Sequence, residues 1–333
     1  MSPGRWNWDA GDGPARLSAQ LADSGIAWIR APELAETAPR EPWVCAERLL
    51  GERAVLLERQ PIRAVPGGRS FSSGRMAAPF HTDSQMLLGA PPHVQVMACH
   101  AAAQAGGESL YLDTWALLAR LEREDPELLA ALFTTARHFP FVFGDVFGPT
   151  VSLRGGSLVF THTARPSPGD GIAARLQRWL EAEPPVEIAA AAGDLVLIHN
   201  HRVLHGRRAF GDEGRSFTRL LLWRPSAWPA PSRWRARAES AAATLRDRLR
   251  QAPAPVREAY GLTEEAGDES RGHQLGVVLE LLRGVPPGVL SAREGVPEPE
   301  IYRWRDAVLR GAAEGLGEEA TSNDSRAWLD RVR

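Results

Sequence analysis

The 333-residue chain contains no lysine, and all 39 of its basic residues are arginine. That absence excludes Schiff-base chemistry on a lysine amine, lysine-anchored pyridoxal phosphate and the lysine-dependent phosphate-binding loop. Cysteine is nearly absent too. Cys45 and Cys99 form no Cys-x-x-Cys pair, and both lie in apolar surroundings. Two isolated thiols exclude a disulfide framework and suit a reducing, cytoplasmic compartment. No window approaches the ~18 consecutive apolar residues of a membrane span. The N-terminal MSPGRWNWDAGDG lacks a basic-then-apolar leader pattern. The expectation is a cytoplasmic protein with no membrane partner. Neither sign of charge dominates: 39 basic against 41 acidic residues leave a net charge of −2, which gives no electrostatic case for nucleic acid or anionic lipid. What remains, 44% hydrophobic and 24% charged, is an ordinary globular composition.

The pattern changes character near residue 226. Before it, short β-type runs recur at residues 25–30, 54–58, 93–99, 108–114, 157–162, 186–189, 194–199 and 216–224. Most are bounded by Gly, Pro or Asp, which favours strands over buried helices. Many short strands separated by turn signals predict a sandwich or barrel. Two helices interrupt them. One follows Asp113-Thr114, and the other covers 171–183 until Pro184-Pro185 stops it. Residues 225–232, PSAWPAPS, form a proline-rich joint. Beyond it, Ala238, Ala242, Leu245 and Leu249 recur at helical spacing, and a second helical block follows from about 273 to 316.

Three residues stand out for chemistry. In 79-PFHTDSQ, His81 and Asp83 are two apart, so an extended chain points both to one face. In 193-GDLVLIHNHRVLHGR, an apolar run leads to His205. Two histidines and one carboxylate on adjacent strands form a facial triad with open coordination positions, which suits non-haem Fe(II) rather than closed structural zinc. Ten residues past His205 stands Arg215, followed by Arg219. A guanidinium fork binds a carboxylate in bidentate fashion, as the far end of a dicarboxylic 2-oxo acid requires. Ser109, after the double glycine of 106-GGESLYLD, is a hydroxyl partner for the same carboxylate. Arg69, Ser70, Ser73 and Arg75 are candidate substrate contacts, and Phe80, Gln85 and Trp223 candidate pocket walls. His201 is a candidate outer partner of the site, while His93, His100, His138 and His162 belong to core or surface.

The combination resembles the taurine dioxygenase and clavaminate synthase-like group of Fe(II)/2-oxoglutarate-dependent oxygenases. Its carriers are His81-Thr82-Asp83, Gly106-Gly107-Glu108-Ser109, Gly193 through Arg207, and Arg215 through Arg219, in order across about residues 60–224. The resemblance implies a double-stranded β-helix, or jelly roll, over residues 1–225 and a helical domain over 226–333. It implies Fe(II) on His81, Asp83 and His205, and 2-oxoglutarate and O2 as co-substrates. Arg215 then takes the distal carboxylate of 2-oxoglutarate with Ser109, and Arg219 supports that carboxylate or contacts substrate. Family members that halogenate have a small residue at the carboxylate position, so Asp83 implies hydroxylation, or a related desaturation or ring closure. The implied substrate is a small molecule, by preference an amino acid or peptidyl residue in specialised metabolism.

Residues 273–316 resemble the helix-turn-helix of transposase-like DNA-binding proteins. This leaves a second reading, a DNA-binding regulator whose barrel senses 2-oxoglutarate, iron or oxygen. Charge argues against it. From 271 to 316 six arginines face six acids, and Glu298 and Glu300 open the helix that would approach the groove. The tail is therefore expected not to bind DNA but to pack on the barrel, hold a homodimer together or shape access to the site.

Overall fold

A computed structural model of the chain describes residues 3–68, 70–85, 90–141, 144–154, 156–225, 228–250, 268–282, 285 and 287–315. It divides into two compact units, Met1–Val256 and Arg257–Arg333. The first is mainly β with flanking helices. Its larger sheet runs in the order Trp6–Asn7 (β1), Ile26–Arg30 (β2), Asp194–His199 (β12), Val94–Ala101 (β5), Ser216–Trp223 (β14) and Val55–Arg63 (β3). The smaller sheet runs Val186–Ile188 (β11), Ser109–Asp113 (β6), Val203–Arg207 (β13) and Ala78–His81 (β4). Two hairpins complete the strands: Arg137–Phe141 (β7) with Gly144–Gly148 (β8), and Val151–Arg154 (β9) with Ser157–Phe160 (β10). Neighbours in both sheets come from distant parts of the chain and pair antiparallel, except that β1 joins β2 in parallel. The strand pattern predicts a sandwich or barrel, and the two facing sheets are the jelly-roll core that the family resemblance implies.

The alternation of strand side chains divides the apolar residues among three cores. On β12, Leu195 and Leu197 face outward with Val94, Val96, Leu220 and Leu222. There they meet helices Gly13–Asp23 (α1), Pro32–Thr37 (α2) and Pro42–Leu50 (α3), through Leu17, Leu21, Leu34 and Leu49. The intervening Val196 and Ile198 face inward and pack with Ile62, Cys99, Tyr111, Val203 and Phe217 between the two sheets. On the far side of the smaller sheet, Leu112 and Leu204 pack against Thr114–Glu124 (α4), Pro126–Thr134 (α5) and Gly171–Ala182 (α6). The helix Ser232–Arg250 (α7) joins this third core by burying Trp234 and Ala238. The first unit thus continues past the proline-rich joint, and Trp234 lies against Phe133 at 6.3 Å.

The second unit contains Asp268–Leu282 (α8), Pro287–Glu294 (α9) and Glu298–Gly315 (α10), gathered on Val277, Leu290 and Ile301. Arg283-Gly284, where the helix-turn-helix likeness of 273–316 puts the end of its first helix, lies outside the described residues. Gly295 makes the turn with φ 66°, and Glu298 and Glu300 occupy the first turn of α10, where acids complement the helix dipole. Arg293, Arg303 and Arg305 each meet a carboxylate, those of Glu280, Glu300 and Asp306. Among the described residues, no helix is long and apolar enough to cross a membrane.

One polar pair holds the end of the smaller sheet that leads to the site. Arg202, just before β13, donates to both oxygens of Asp113 at 2.8 and 2.6 Å and lies 4.3 Å from the Trp115 ring. Asp113 also caps α4, accepting from Trp115 N at 3.0 Å. Asp113→Ala removes the cap and leaves the buried Arg202 guanidinium without its acid. The expected loss is about 3 kcal/mol of unfolding free energy, measured by urea denaturation.

Candidate active site

β4 and β13 pair antiparallel with His81 opposite His205. Both side chains face inward, and their ring centroids lie 4.3 Å apart. Between His205 and Arg207 the register shifts, and a Cβ on Gly206 would come within 2.8 Å of Ala78 O. Only glycine allows β4 so close. Asp83, two residues past His81, reaches the same space. Its Oδ1 is 3.8 Å from His81 Nε2, and its Oδ2 is 3.5 Å from His205 Nε2. The three groups offer ligand atoms that all lie within 4.8 Å of one another, the one such cluster among the described residues.

The tautomer of His81 follows from its neighbours. Its Nδ1 lies 2.8 Å from Pro79 O, so Nδ1 carries the hydrogen and Nε2 keeps its lone pair for a cation. Burial, and then the neighbouring His205, lower the His81 pKa to about 4, which keeps the ring neutral. Burial alone would raise the Asp83 carboxyl. The Arg219 guanidinium, with His205 and His81 adding to it, instead holds it well below the usual carboxylate range. Arg219 Nη1 donates to Asp83 Oδ2 at 2.6 Å, and Gln95 Nε2 donates to the same oxygen at 2.6 Å. A charged carboxylate beside two imidazoles is a donor set that fits a divalent cation with open positions.

The pocket lined by His81 and His205 of this cluster extends along the inner face of β14 to Arg219 and Arg215. Arg215, Phe217 and Arg219 share that face by strand alternation, so the two arginines sit ~13 Å apart along it. Arg219 stays at the Asp83 end, where its Nη2 also meets Gln60 Oε1 at 2.7 Å and Glu58 Oε2 at 3.2 Å. Arg215 stands at the other end with Ser109 and Tyr111 in the wall. It is only 2% exposed, stacks on Phe217 at 4.0 Å and donates Nε to Gly107 O at 3.3 Å. Its Nη1 is buried with no hydrogen-bond partner among the described residues. Burial, and then Arg207, lower its pKa to about 10, so it remains a cation. A buried cation with an unspent N–H is a fitting receptor for a carboxylate.

The structure brings together every residue of the expected set: His81, Asp83 and His205 at one point, Ser109 and Arg215 at the other end, and Arg219 beside Asp83. It distributes the looser candidates elsewhere. Phe80 packs into the third core. Gln85 takes hydrogen bonds from Arg154 and Thr161, and Trp223 donates to Ala90 O. Ser70 and Ser73 bond to each other, Arg75 bonds Gly211 O, and Arg69 lies outside the described residues. His201 meets Pro91 O, away from the cluster. The walls that sequence reasoning missed are Gln95, Tyr111, Ile62, Met97, Phe71 and Ser72. Phe71 lies 5.5 Å from the His81 ring, and Arg207 holds its loop by donating to the carbonyls of Phe71, Gly74 and Met76.

Facial triads of two histidines and a carboxylate on jelly-roll barrels mark the non-haem iron dioxygenases that use 2-oxoglutarate, and this chain is of that class. Residues 63–185 and 165–221 match the family model Taurine catabolism dioxygenase TauD, TfdA family. Among solved structures, an asparagine oxygenase is similar at 18% identity and TM-score 0.52, over 64% of this chain and 78% of that one. Its complex with Fe(II), 2S,3S-3-hydroxyasparagine and succinate matches at 18% identity and TM-score 0.51, over 64% and 79%. PvcB from Pseudomonas aeruginosa matches at 20% identity and TM-score 0.49, over 64% and 81%. No curated protein sequence matches the chain. At these identities the structural likeness establishes the fold.

The double glycine before Ser109 has a physical cause. Gly107 adopts φ 78°, and a Cβ there would meet Arg215 Cδ at 3.1 Å. Gly107→Ala is expected to lose about 1–2 kcal/mol of stability through the left-handed backbone alone, measured by denaturation, and to displace Arg215 further.

Proposed function

We propose that the protein is a 2-oxoglutarate-dependent hydroxylase of an amino acid or peptidyl residue. The observation that carries this reading is one pocket that joins His81 and His205, the two imidazoles of the His81–Asp83–His205 cluster, to a buried Arg215 whose Nη1 is unspent. In this reading His81 Nε2, His205 Nε2 and the Asp83 carboxylate hold Fe(II). Arg215, with the Ser109 hydroxyl, takes the distal carboxylate of 2-oxoglutarate. Fe(II) with 2-oxoglutarate and O2 supplies the oxidation of an unactivated C–H bond, while the protein's part is to bind, orient and shield. Asp83 fills the third protein position with a carboxylate, which supports hydroxylation over halogenation.

Arg219 supports the substrate class. It lies on the pocket wall at the cluster, and its partners include the Glu58 carboxylate. An adjacent guanidinium and carboxylate match the carboxylate and ammonium of an α-amino acid by charge. Phe71 and Ser72, on the loop fixed by Arg207, would shape the space for the side chain.

The reading is tested by succinate release coupled to Fe(II) binding. His81→Ala and His205→Ala are each expected to lose Fe(II) binding and turnover together while the unfolding midpoint changes little, since neither side chain belongs to an apolar core. Turnover retained in both variants would overturn the assignment. Arg215→Ala is expected to raise the 2-oxoglutarate KM by about 10- to 150-fold, the equivalent of about 1.5–3 kcal/mol for a charged hydrogen bond. A larger co-substrate effect from Arg219→Ala would reverse the roles of the two arginines.

A further inference from the structure

The three groups of the cluster are held in place by different means. His81 and His205 lie opposite each other in the β4–β13 ladder, so backbone pairing fixes both. β4 ends at His81. Asp83 falls in the turn that follows, next to Ser84 at φ 55°, and no strand ladder reaches it. A single side chain meets its backbone on both sides instead. Asp83 N donates to Asn200 Oδ1 at 3.4 Å, and Asn200 Nδ2 donates to Asp83 O at 3.2 Å. Asn200 is fully buried. Its remaining amide hydrogen goes to Pro92 O at 2.9 Å, and its own backbone N donates to His93 O at 2.9 Å. One residue earlier, the Thr82 hydroxyl donates to His162 O and accepts from His162 N, both at 3.0 Å.

We propose that Asn200 is the positioning residue of the carboxylate ligand, a side-chain rung that replaces the missing strand pairing at Asp83, with Thr82 as its second support. The proposal rests on the reading of His81, Asp83 and His205 as the metal centre. Asparagine suits the task because a backbone N–H and C=O need one acceptor and one donor, and its amide supplies both. An aspartate would keep the acceptor and lose the donor, and an apolar residue would lose both. The support opposes a real pull. Arg219 and Gln95 both draw Asp83 Oδ2 from the β14 and β5 side at 2.6 Å. With Asn200 removed, Asp83 O keeps only Gln85 Nε2 at 3.2 Å and Asp83 N loses its side-chain acceptor, so the turn can follow its carboxylate toward those donors and away from the two imidazoles.

The test uses Co(II) as a probe on the full-length protein, with affinity read by calorimetry and by the visible absorption of the bound ion. Asn200→Ala is expected to weaken Co(II) binding by about 10- to 100-fold, as for other outer partners of metal ligands, with the circular dichroism of the metal-free protein retained. In an Asp83→Ala background the same substitution is expected to add less than about twofold, because a group acting through Asp83 has nothing left to position. Undiminished affinity in Asn200→Ala, or a full additive loss in the double variant, overturns the proposal. Should Asn200→Ala not fold, Thr82→Val examines the second support. The expected loss is about tenfold and again absent without Asp83, and wild-type affinity in that variant overturns the proposal. A wild-type protein that fails to bind Co(II) overturns the metal-centre reading itself, a result distinct from either.

Discussion

The site depends on enclosing a carboxylate between two sheets without neutralising it. Burial would protonate Asp83, and an uncharged carboxyl would serve no cation. The barrel prevents this by surrounding the carboxylate with N–H donors and one guanidinium, Arg219, from the opposite sheet. Arg219 in turn needs its own acceptors, which Glu58 and Gln60 supply from the next strand. The polar groups around Asp83 are thus one connected network, and it reaches the smaller sheet through the His205 ring, 3.2 Å from Gln95. A network of this kind favours one arrangement of the two sheets, since any slip in register leaves charged groups unpaired.

Strand alternation explains how much of this was legible in the sequence. Period two put His81 and Asp83 together, and it separated Leu204 from Val203 and His205. It also puts Phe80 on the opposite face from His81, and the structure sends Phe80 to the outer core accordingly. Trp223 shares the parity of Arg215, Phe217 and Arg219, yet it leaves the pocket. It is the last residue of β14, and its indole donates to Ala90 O instead. Gln85 is diverted by the turn at Ser84, where φ is 55°. Irregularities of this kind carry no strong composition signal, so pattern reading runs past them.

The missed walls share a different cause. Gln95, Tyr111, Ile62 and Met97 are unremarkable within their own strands. They reach the pocket because β5, β6 and β3 pair with strands far away in sequence. Gln95 lies in the apolar run 93–99, where an isolated polar residue at an inward position was the available signal. The burial of Trp234 by α7 is of the same type. Its helical pattern was visible, but nothing in the local sequence shows that its apolar face is shared with Leu128, Leu176 and Phe160.

A chain with arginine as its only strong cation also offers a way to find its anion site by comparison. Arginine tolerates burial because its charge is delocalised and weakly hydrated, provided its fork is filled. Arg202 is filled by Asp113, and Arg137 by Asp170 and the Thr150 hydroxyl. Both terminal nitrogens of Arg207 are filled by three backbone carbonyls, and both of Arg219 by Asp83, Glu58 and Gln60, with only the Nε of each left over. Arg215 breaks the series, with one long bond to Gly107 O and aromatic rings on Phe217 and Phe210. Aromatic faces stabilise a cation without consuming its N–H groups. The barrel therefore keeps Arg215 charged, rigid and short of acceptors, a combination that costs stability in the free protein and is offset only when a carboxylate enters.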